Sequence, residues 1–201
     1  LAVAGSSVAE TLMFDGSFQV GRAKLDSITL PPTTAQTAGL VGWITGQHST
    51  AAVLDGRPSD AAAAMDAAAE LAERFGAAGE VDSLGFLFGP VLAGCFRMYN
   101  ALETDEPDQV ISIAENVHPE RDLFVANQVL YWVNYGRALA QLRDRRDDAV
   151  RALRTAEDIF PTKVRRDPMV REAIGALLPG AGRDALGMEL RGLAYRAGVS
   201  V

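Results

Sequence analysis

The strongest constraint on the fold is a stretch of thirty residues, 132 to 161, with the sequence WVNYGRALAQLRDRRDDAVRALRTAEDIFP. Its first half repeats apolar or small residues at intervals of three and four, which is the pattern of one buried helix face. Those positions are Trp132, Tyr135, Gly136, Leu139 and Leu142. We therefore predict a helix here, followed at once by a charged turn.

A second helix is predicted directly after that turn. Asp147 and Asp148 stand at its amino end, where the helix dipole favours negative charge, and Pro161 closes it. Its apolar stripe consists of Ala149, Leu153, Ala156 and Phe160. Two helices joined by so short a turn lie antiparallel, and the small residues Gly136, Ala149 and Ala156 let their backbones approach closely.

The same pattern occurs forty residues earlier in the chain. The five positions of the first helix are matched by Leu92, Cys95, Phe96, Tyr99 and Leu102. At a shift of 39, the second helix is matched by Val110, Ala114 and Val117. A segment that presents the same apolar face at a fixed period indicates a helical repeat protein, because each repeat buries its face against the next one.

Two further copies precede these. One occupies the amino terminus, with Gly16 at its turn and Pro32 at its end, and a weaker copy runs to Gly76, with its turn at Gly56 and Pro58. Strand signals are nearly absent, so we predict an all-α protein of four helical hairpins in series. The hairpins cover residues 1–32, 33–76, 84–119 and 127–161 of a repeat region 1–166, and an unusual interval separates the second from the third at residues 77–83.

Residues 167–201 are predicted to cap this array. Asp167 is a good N-cap before Pro168, and PGAG at 179–182 ends the helix that follows. A last helix, from about Arg183 to Arg196, turns its apolar side inward with Leu186, Leu190, Leu193 and Ala197. Repeat arrays need such terminal helices because an uncovered final repeat exposes its apolar side.

Composition narrows the functional classes. The net charge of -7 disfavours binding of nucleic acid or anionic membranes by this chain, and Cys95 is the single cysteine, which suits a reducing cytoplasm. The longest apolar run, residues 84–96, falls short of the roughly 20 residues that span a bilayer. The amino terminus LAVAGSSVAE has neither a starting methionine nor a signal sequence, so we expect a piece of a longer protein.

These residues resemble a known family. The spacing from Trp132 to Leu139, followed by Ala149, Leu153, Ala156 and Pro161, resembles a tetratricopeptide repeat with one extra residue in its turn. The segment FPTKVRRDPMVREAIGALLPGAGRDALGMELRGLAYRAGV resembles the C-terminal end of XRE-type helix-turn-helix transcriptional regulators of high-GC Gram-positive bacteria, and residues 88–119 resemble the same group.

The resemblance implies a fold and a class of function. The fold is a tetratricopeptide-like α-solenoid, a right-handed superhelix of about four hairpins with C-terminal capping helices. In that family a repeat domain senses a signal or dimerises, while a separate amino-terminal domain binds DNA. No helix-turn-helix segment is recognisable in this chain, so DNA is expected to be contacted only through a domain outside it.

A ligand surface is predicted where polar residues recur with the repeat. The shift that superposes the apolar faces also superposes Arg97 on Arg137, each about 140° around its helix from Leu92 or Trp132. The resemblance implies that the first helices line the concave side, where an acidic or peptide-carboxylate ligand would meet Arg97, Asn100, Asn134, Arg137 and Gln141. Asn134 falls where that family's peptide clamps often carry asparagine. The alternative, that the arginines pair with acidic neighbours or are solvated, stays open.

No catalytic, cofactor or metal site is predicted. Gly180, Gly182 and Ala185 mimic a dinucleotide fingerprint, but that motif needs a preceding strand. Neither His118 nor Cys95 has the short ligand spacing of a zinc site.

Residues of three other types have structural interpretations. We interpret His48 as a hydrogen-bonded buried histidine and not a metal ligand, and Ser6-Ser7 as a helix N-cap and not a nucleophile. The two tryptophans, Trp43 and Trp132, are interpreted as core residues and not as cofactor platforms.

The leading hypothesis is the regulatory part of a transcription factor. It would bind a small molecule, a peptide or a partner subunit and so reposition DNA-binding domains, with a symmetric homodimer as one expected arrangement. The alternative is a stand-alone scaffold for protein–protein interaction, and an enzyme is the least favoured class. A helix-turn-helix encoded just upstream of Leu1 would favour the regulator, and its absence the scaffold.

Overall fold

A computed structural model describes residues 2–75 and 88–200, and every regular element in these ranges is helical. The predicted all-α class is therefore confirmed for this part of the chain. The interval 77–83 and the start of the long apolar run at Leu84 lie outside the described residues. The helices are α1 Ala2–Phe14, α2 Phe18–Asp26, α3 Ala35–Leu54, α4 Pro58–Phe75, α5 Pro90–Glu103, α6 Pro107–Ala114, α7 Val125–Gln141, α8 Arg146–Ile159, α9 Pro161–Arg166, α10 Pro168–Leu177 and α11 Ala185–Ala197.

The chain forms two compact units, Leu1–Thr104 and Asp105–Val201. The first contains α1 to α5, and the second contains α6 to α11 together with two short 3-10 helices. The division falls inside the third predicted hairpin. Within the described ranges no helix has the length and apolarity needed to cross a membrane.

One backbone feature is shared by all four predicted hairpin turns. A residue in the left-handed conformation lies two positions before the second helix of each pair, at Gly16, Gly56, Asp105 and Asp144, with φ of 82°, 72°, 60° and 61°. These residues are 40, 49 and 39 positions apart, so the backbone turn recurs at the period of the apolar pattern. Glycine adopts this conformation without a steric penalty, and aspartate tolerates it better than most residues do.

In the first unit, neighbouring helices pack against one another in chain order. The pairs α1–α2 and α3–α4 are in contact, and α3 also contacts α1, α2 and α5. The core between the first three helices consists of Ala9, Met13, Leu25, Leu40, Ile44 and Ala51.

Two glycines let α5 and the residues before it approach α3 closely. A Cβ atom at Gly46 would lie 2.4 Å from Cε2 of Phe96, and one at Gly42 would lie 2.3 Å from Cδ1 of Phe88. Since real Cβ atoms do not approach other atoms so closely, each ring occupies the space that a side chain on α3 would need. These small residues therefore fix where the aromatic rings sit.

In the second unit, α7 and α8 form the predicted close pair. A Cβ atom at Gly136 would lie 2.8 Å from Cδ2 of Leu153, and Ala149 and Ala156 are fully buried. The core extends from this pair to α10 and α11, which supply Val170, Ala173, Ile174, Leu177, Leu190, Leu193, Ala194 and Ala197. The small residues of the pair therefore allow the close approach predicted for them.

The C-terminal helices begin as predicted, with one difference. The Asp167 Oδ1 accepts bonds from the amides of Met169 at 2.9 Å and Val170 at 3.3 Å, which confirms the N-cap. The last helix begins after Asp184, whose Oδ1 accepts a bond from the amide of Gly187 at 2.7 Å. Pro161, expected only to close a helix, also begins α9, because proline is well accommodated in the first turn, where its missing N–H is not needed.

A buried carboxylate joins three helices of this unit. Glu157 on α8 has a side chain only 3% exposed, and its oxygens accept bonds from Arg165 on α9 and Arg196 on α11. The bonds run from Arg165 Nε at 2.8 Å, from Arg196 Nε at 2.8 Å and from Arg196 Nη2 at 2.7 Å. Because the two partners lie 8 and 39 positions further along the chain, Glu157 attaches the last helix to α8.

Candidate functional site

The five residues predicted to bind a ligand lie on two helices, one in each unit. Arg97 and Asn100 are on α5 of the first unit, and Asn134, Arg137 and Gln141 are on α7 of the second.

Asn100 takes part in the contact between α5 and α3. It is 9% exposed, and its Nδ2 donates to the Ser49 hydroxyl at 2.8 Å while its Oδ1 accepts a bond from the Thr50 hydroxyl at 3.4 Å. Ser49 is fully buried and donates in turn to the carbonyl of Gly46 at 2.8 Å. The amide of Asn100 thus holds two helices in register.

Arg97 forms an ion pair at the surface of the same unit. Its Nη2 lies 3.1 Å from Oδ1 of Asp66 on α4, and the two side chains are 40% and 76% exposed. Exposed pairs of this kind contribute only about 0–1 kcal/mol, so Arg97 could exchange Asp66 for an anionic ligand at small cost. Pairing with an acidic neighbour was the alternative left open for Arg97 in the sequence analysis, and the structure shows such a pair with Asp66.

The three residues on α7 differ in exposure. Asn134 is 1% exposed, Arg137 is half-buried and Gln141 is exposed. All three follow the aromatic residues Tyr131 and Trp132, whose rings meet edge to face with centroids 5.2 Å apart.

Aromatic packing also supports the structural interpretation of the tryptophans. Trp132 is packed against the core of the second unit and Trp43 against the core of the first. The ring of Trp43 meets Phe96 edge to face, with centroids 5.9 Å apart. Both indoles are therefore part of the helix packing.

A polar residue that the sequence analysis passed over lies on α3. Gln47 is 3% exposed, and among the described residues neither its Nε2 nor its Oε1 has a hydrogen-bond partner. A buried polar group without a partner costs about 1–3 kcal/mol, so native proteins rarely leave one. Among the described residues, Gln47 alone has both a buried donor and a buried acceptor without a hydrogen-bond partner.

The position of Gln47 around α3 relates it to the predicted ligand surface. At about 100° per residue, Gln47 is about 40° from Trp43 and about 60° from Thr50. Thr50 contacts Asn100 on α5, and Trp43 contacts Phe96 on the same helix. Ser49 and Gly46, which also contact α5, lie about 160° and about 100° from Gln47, so Gln47 stands at the edge of the side of α3 that faces α5. We call Gln47, Trp43 and Thr50 the α3 polar site.

His48, next in the chain, differs from its interpretation. Its side chain is 26% exposed, and its Nδ1 lies 3.7 Å from Oδ1 of Asp26, which is beyond hydrogen-bonding distance. Burial lowers the pKa of His48 below its ordinary value, Asp26 opposes this, and Arg22 adds to it. The imidazole is thus a partly exposed group facing α2 and not a hydrogen-bonded core residue, because α3 turns it toward the charged end of that helix.

The N-cap interpretation of Ser6 and Ser7 is wrong. The helix α1 already begins at Ala2, and Ser6 is buried within it, where its hydroxyl donates to the carbonyl of Val3 at 2.9 Å. A serine inside a helix bonds a preceding carbonyl in this way when no free amide is within reach.

The other residues that the sequence analysis weighed as metal or cofactor ligands do not form a common site in the part of the chain that the structure describes. Cys95 is fully buried. At the surface, Nδ1 of His118 lies 3.5 Å from Oε1 of Glu120. Among the described residues no three metal-binding side chains come together. The sequence from Gly180 to Gly182 follows α10 and begins at the last residue of the 3-10 helix Leu178–Gly180, so it lacks the preceding strand that a dinucleotide fingerprint requires.

Two cavities occur at other places. One of about 470 Å³ is lined by Phe160, Thr162, Lys163, Arg166 and Asp167. The other, of about 400 Å³, lies between α1 and α2, with Lys24 among its lining residues. Neither includes any of the five predicted residues or Gln47.

No protein-family model, curated protein or solved structure matches this chain.

Proposed function

We propose that this chain is the signal-binding part of a cytoplasmic transcriptional regulator. In this proposal the helical pairs stack as a tetratricopeptide-like, right-handed solenoid, and a ligand controls helix-turn-helix domains outside the chain. The sequence resemblance supports the regulator. The recurrence of the left-handed turn residue at intervals of 40, 49 and 39 supports a repeated architecture.

The unsatisfied amide of Gln47 is the observation that carries the ligand-binding role. A carboxamide offers a donor and an acceptor in one plane, so it suits a ligand that presents both, such as a peptide bond or another amide. Filling this site would remove the penalty of about 1–3 kcal/mol that an unsatisfied group imposes on the empty protein. The removal of this cost therefore contributes to the free energy of binding at Gln47.

Control of a tethered domain needs more than binding. A ligand shifts a conformational equilibrium only if it binds one arrangement better than the other. The α3 polar site meets this requirement if its occupant bonds both Gln47 and a residue of α5. We take Asn100 and Arg97 as the candidate residues of α5, since Thr50 of the α3 polar site bonds Asn100 and the surface ion pair of Arg97 is easily exchanged.

The test begins with native mass spectrometry of the purified chain, followed by thermal shift against peptide and metabolite libraries. A bound mass, or a ligand that raises the Tm, is expected for the wild type and should be lost in Gln47→Leu. Gln19→Leu, an exposed glutamine on α2, is the matched control and should respond like the wild type. An unliganded chain with no thermal shift against either library would contradict the sensor.

A further inference from the structure

We propose that a cavity beside α9, in the second unit, binds a small carboxylate that carries an aromatic ring. This α9 cavity has a volume of about 470 Å³ and is lined by five residues, Phe160, Thr162, Lys163, Arg166 and Asp167. Sites for small molecules generally have volumes of about 300–1,000 Å³, so the space is large enough for such a ligand. The site is separate from the α3 polar site and does not depend on ligand binding there.

Phe160 supplies an apolar wall to the α9 cavity. The sequence pattern predicts this residue at the end of the buried stripe of α8, but it is 42% exposed. The other members of that stripe, Ala149, Leu153 and Ala156, are fully buried. The difference arises because α8 ends at Ile159, and Phe160, with φ of -145°, has left the helical conformation. A ring in contact with water is an apolar surface that a ligand's own ring can cover.

Two cations line the same cavity without an acidic partner. Within the described part of the chain, the side chains of Lys163 and Arg166 make neither an ion pair nor a hydrogen bond. The acid of the cavity, Asp167, is engaged elsewhere, since its Oδ1 accepts bonds from two amides at the start of α10. Like charges one turn apart on a helix repel each other, and an anion between them would relieve that repulsion. The α9 cavity therefore favours a negatively charged ligand.

The backbone of α9 holds the polar groups on one side. At about 100° per residue, Thr162, Lys163 and Arg166 fall within about 100° of one another around the helix. The rest of α9 is fixed to the unit. Val164 is 2% exposed, and Nε of Arg165 donates to a buried carboxylate on α8 at 2.8 Å. Because the helix is anchored on its inner side, the groups that line the cavity are presented together.

A carboxylate attached to an aromatic ring is complementary to both parts of the cavity. The planar guanidinium of Arg166 can bond both carboxylate oxygens, the ammonium of Lys163 adds a second charge, and the hydroxyl of Thr162 can donate a further bond. The ring of the ligand would then lie against Phe160, either offset-stacked or edge to face. An anion without a ring would use only the cations, and a neutral aromatic molecule would use only Phe160.

The test is titration of the isotope-labelled chain, followed by heteronuclear NMR, with three probes. Phenylpropanoate carries the ring and the charge, phenylpropanamide keeps the ring without the charge, and propanoate keeps the charge without the ring. Phenylpropanoate should shift the amide signals of residues 160–167, and the Kd of each of the other two probes should be about tenfold higher. No shift with any probe, shifts confined to residues 24–29 beside the other cavity, or equal affinity for all three would overturn the proposal.

Matched variants assign each part of the ligand to its residues. Phe160→Ser should remove the advantage of phenylpropanoate over propanoate, and Lys163→Gln combined with Arg166→Gln should remove its advantage over phenylpropanamide. Arg183→Gln alters another exposed cation of the same unit, outside the cavity, and should bind phenylpropanoate like the wild type.

The two cation substitutions alter exposed side chains, so helicity by circular dichroism should be unchanged. They therefore test the charged part of the site even if Phe160→Ser lowers stability. A combined variant that still prefers the carboxylate, or a loss of that preference in Arg183→Gln, would contradict the proposal.

Discussion

Glu157 gives a quantitative test of how the last helix is held. Its buried carboxylate accepts three charge-assisted bonds, from Arg165 and Arg196. Glu157→Gln keeps the size of the side chain but removes the charge and turns one acceptor into a donor facing the arginines. Hydrogen bonds to charged groups contribute about 1.5–3 kcal/mol each, but the two arginines are 41% and 29% exposed and can regain water. We therefore expect the free energy of unfolding to fall by about 2–3 kcal/mol in total.

The neighbouring residue provides the control. Asp158 on α8 pairs with Arg154 at 2.8 Å, but both side chains are exposed, at 59% and 40%. Asp158→Asn should therefore cost less than about 1 kcal/mol. Urea unfolding followed by circular dichroism measures both variants against the wild type.

The dependence on pH has a definite sign. Burial alone would raise the pKa of Glu157, but the hydrogen bonds from Arg196 and Arg165 outweigh it and hold that pKa below the ordinary value of 4.5. A carboxylate whose pKa is lowered on folding contributes stability that is fully present above pH 4.5 and is lost as the pH falls through the folded value. The gap between wild type and Glu157→Gln should thus shrink in acid. A neutral-pH cost no larger than that of Asp158→Asn, or a gap that persists in acid, would refute the reasoning.

Three further substitutions test individual packing and backbone features. Gly136→Ala should cost about 1–3 kcal/mol, seen as a lower Tm, because the new methyl group would meet Leu153. Gly56→Ala should cost about 1 kcal/mol in urea unfolding, since its φ is 72°, and Gly56→Asn should cost less, as an asparagine tolerates that conformation. Asp167→Ala should cost about 1 kcal/mol through loss of the N-cap, and Asp167→Asn should recover most of it in the same assay.

The features predicted correctly from sequence are those with local causes. The turn at Gly56 needs a left-handed backbone, and the helix after Asp167 begins with a cap and a proline, so each is determined by residues within a few positions. The close approach of α7 and α8 could also be predicted from sequence, because a short turn brings Gly136 against the next helix independently of the rest of the chain.

The features missed depend on helices that are distant in sequence. Glu157 looks like an ordinary surface acid next to a buried alanine, and only the return of α11 to α8 covers it. In the same way, the engagement of Asn100 by Ser49 depends on how α5 meets α3, some fifty residues earlier. Sequence periodicity locates the faces of a helix but does not pair the polar groups on them.

The candidate site shows the same limit. Arg97 was predicted from its recurrence with Arg137, and in the first unit it pairs with Asp66. Gln47 gives a weak signal, a glutamine between Trp43 and Ala51 on an otherwise apolar line of α3. That its amide would remain unsatisfied follows only from the packing of the whole unit, so no spacing rule could have selected it.

The stability of Gln47→Leu without ligand tests the central claim most directly, that the amide of Gln47 is kept for a ligand. If the amide is unsatisfied in the empty protein, replacing it with an apolar side chain of similar size removes a cost of about 1–3 kcal/mol, and the Tm of the variant should exceed that of the wild type. Gln19→Leu, at an exposed position, should leave the Tm nearly unchanged. A lower Tm for Gln47→Leu would show that the amide already supports the fold, and the proposed site would then be contradicted.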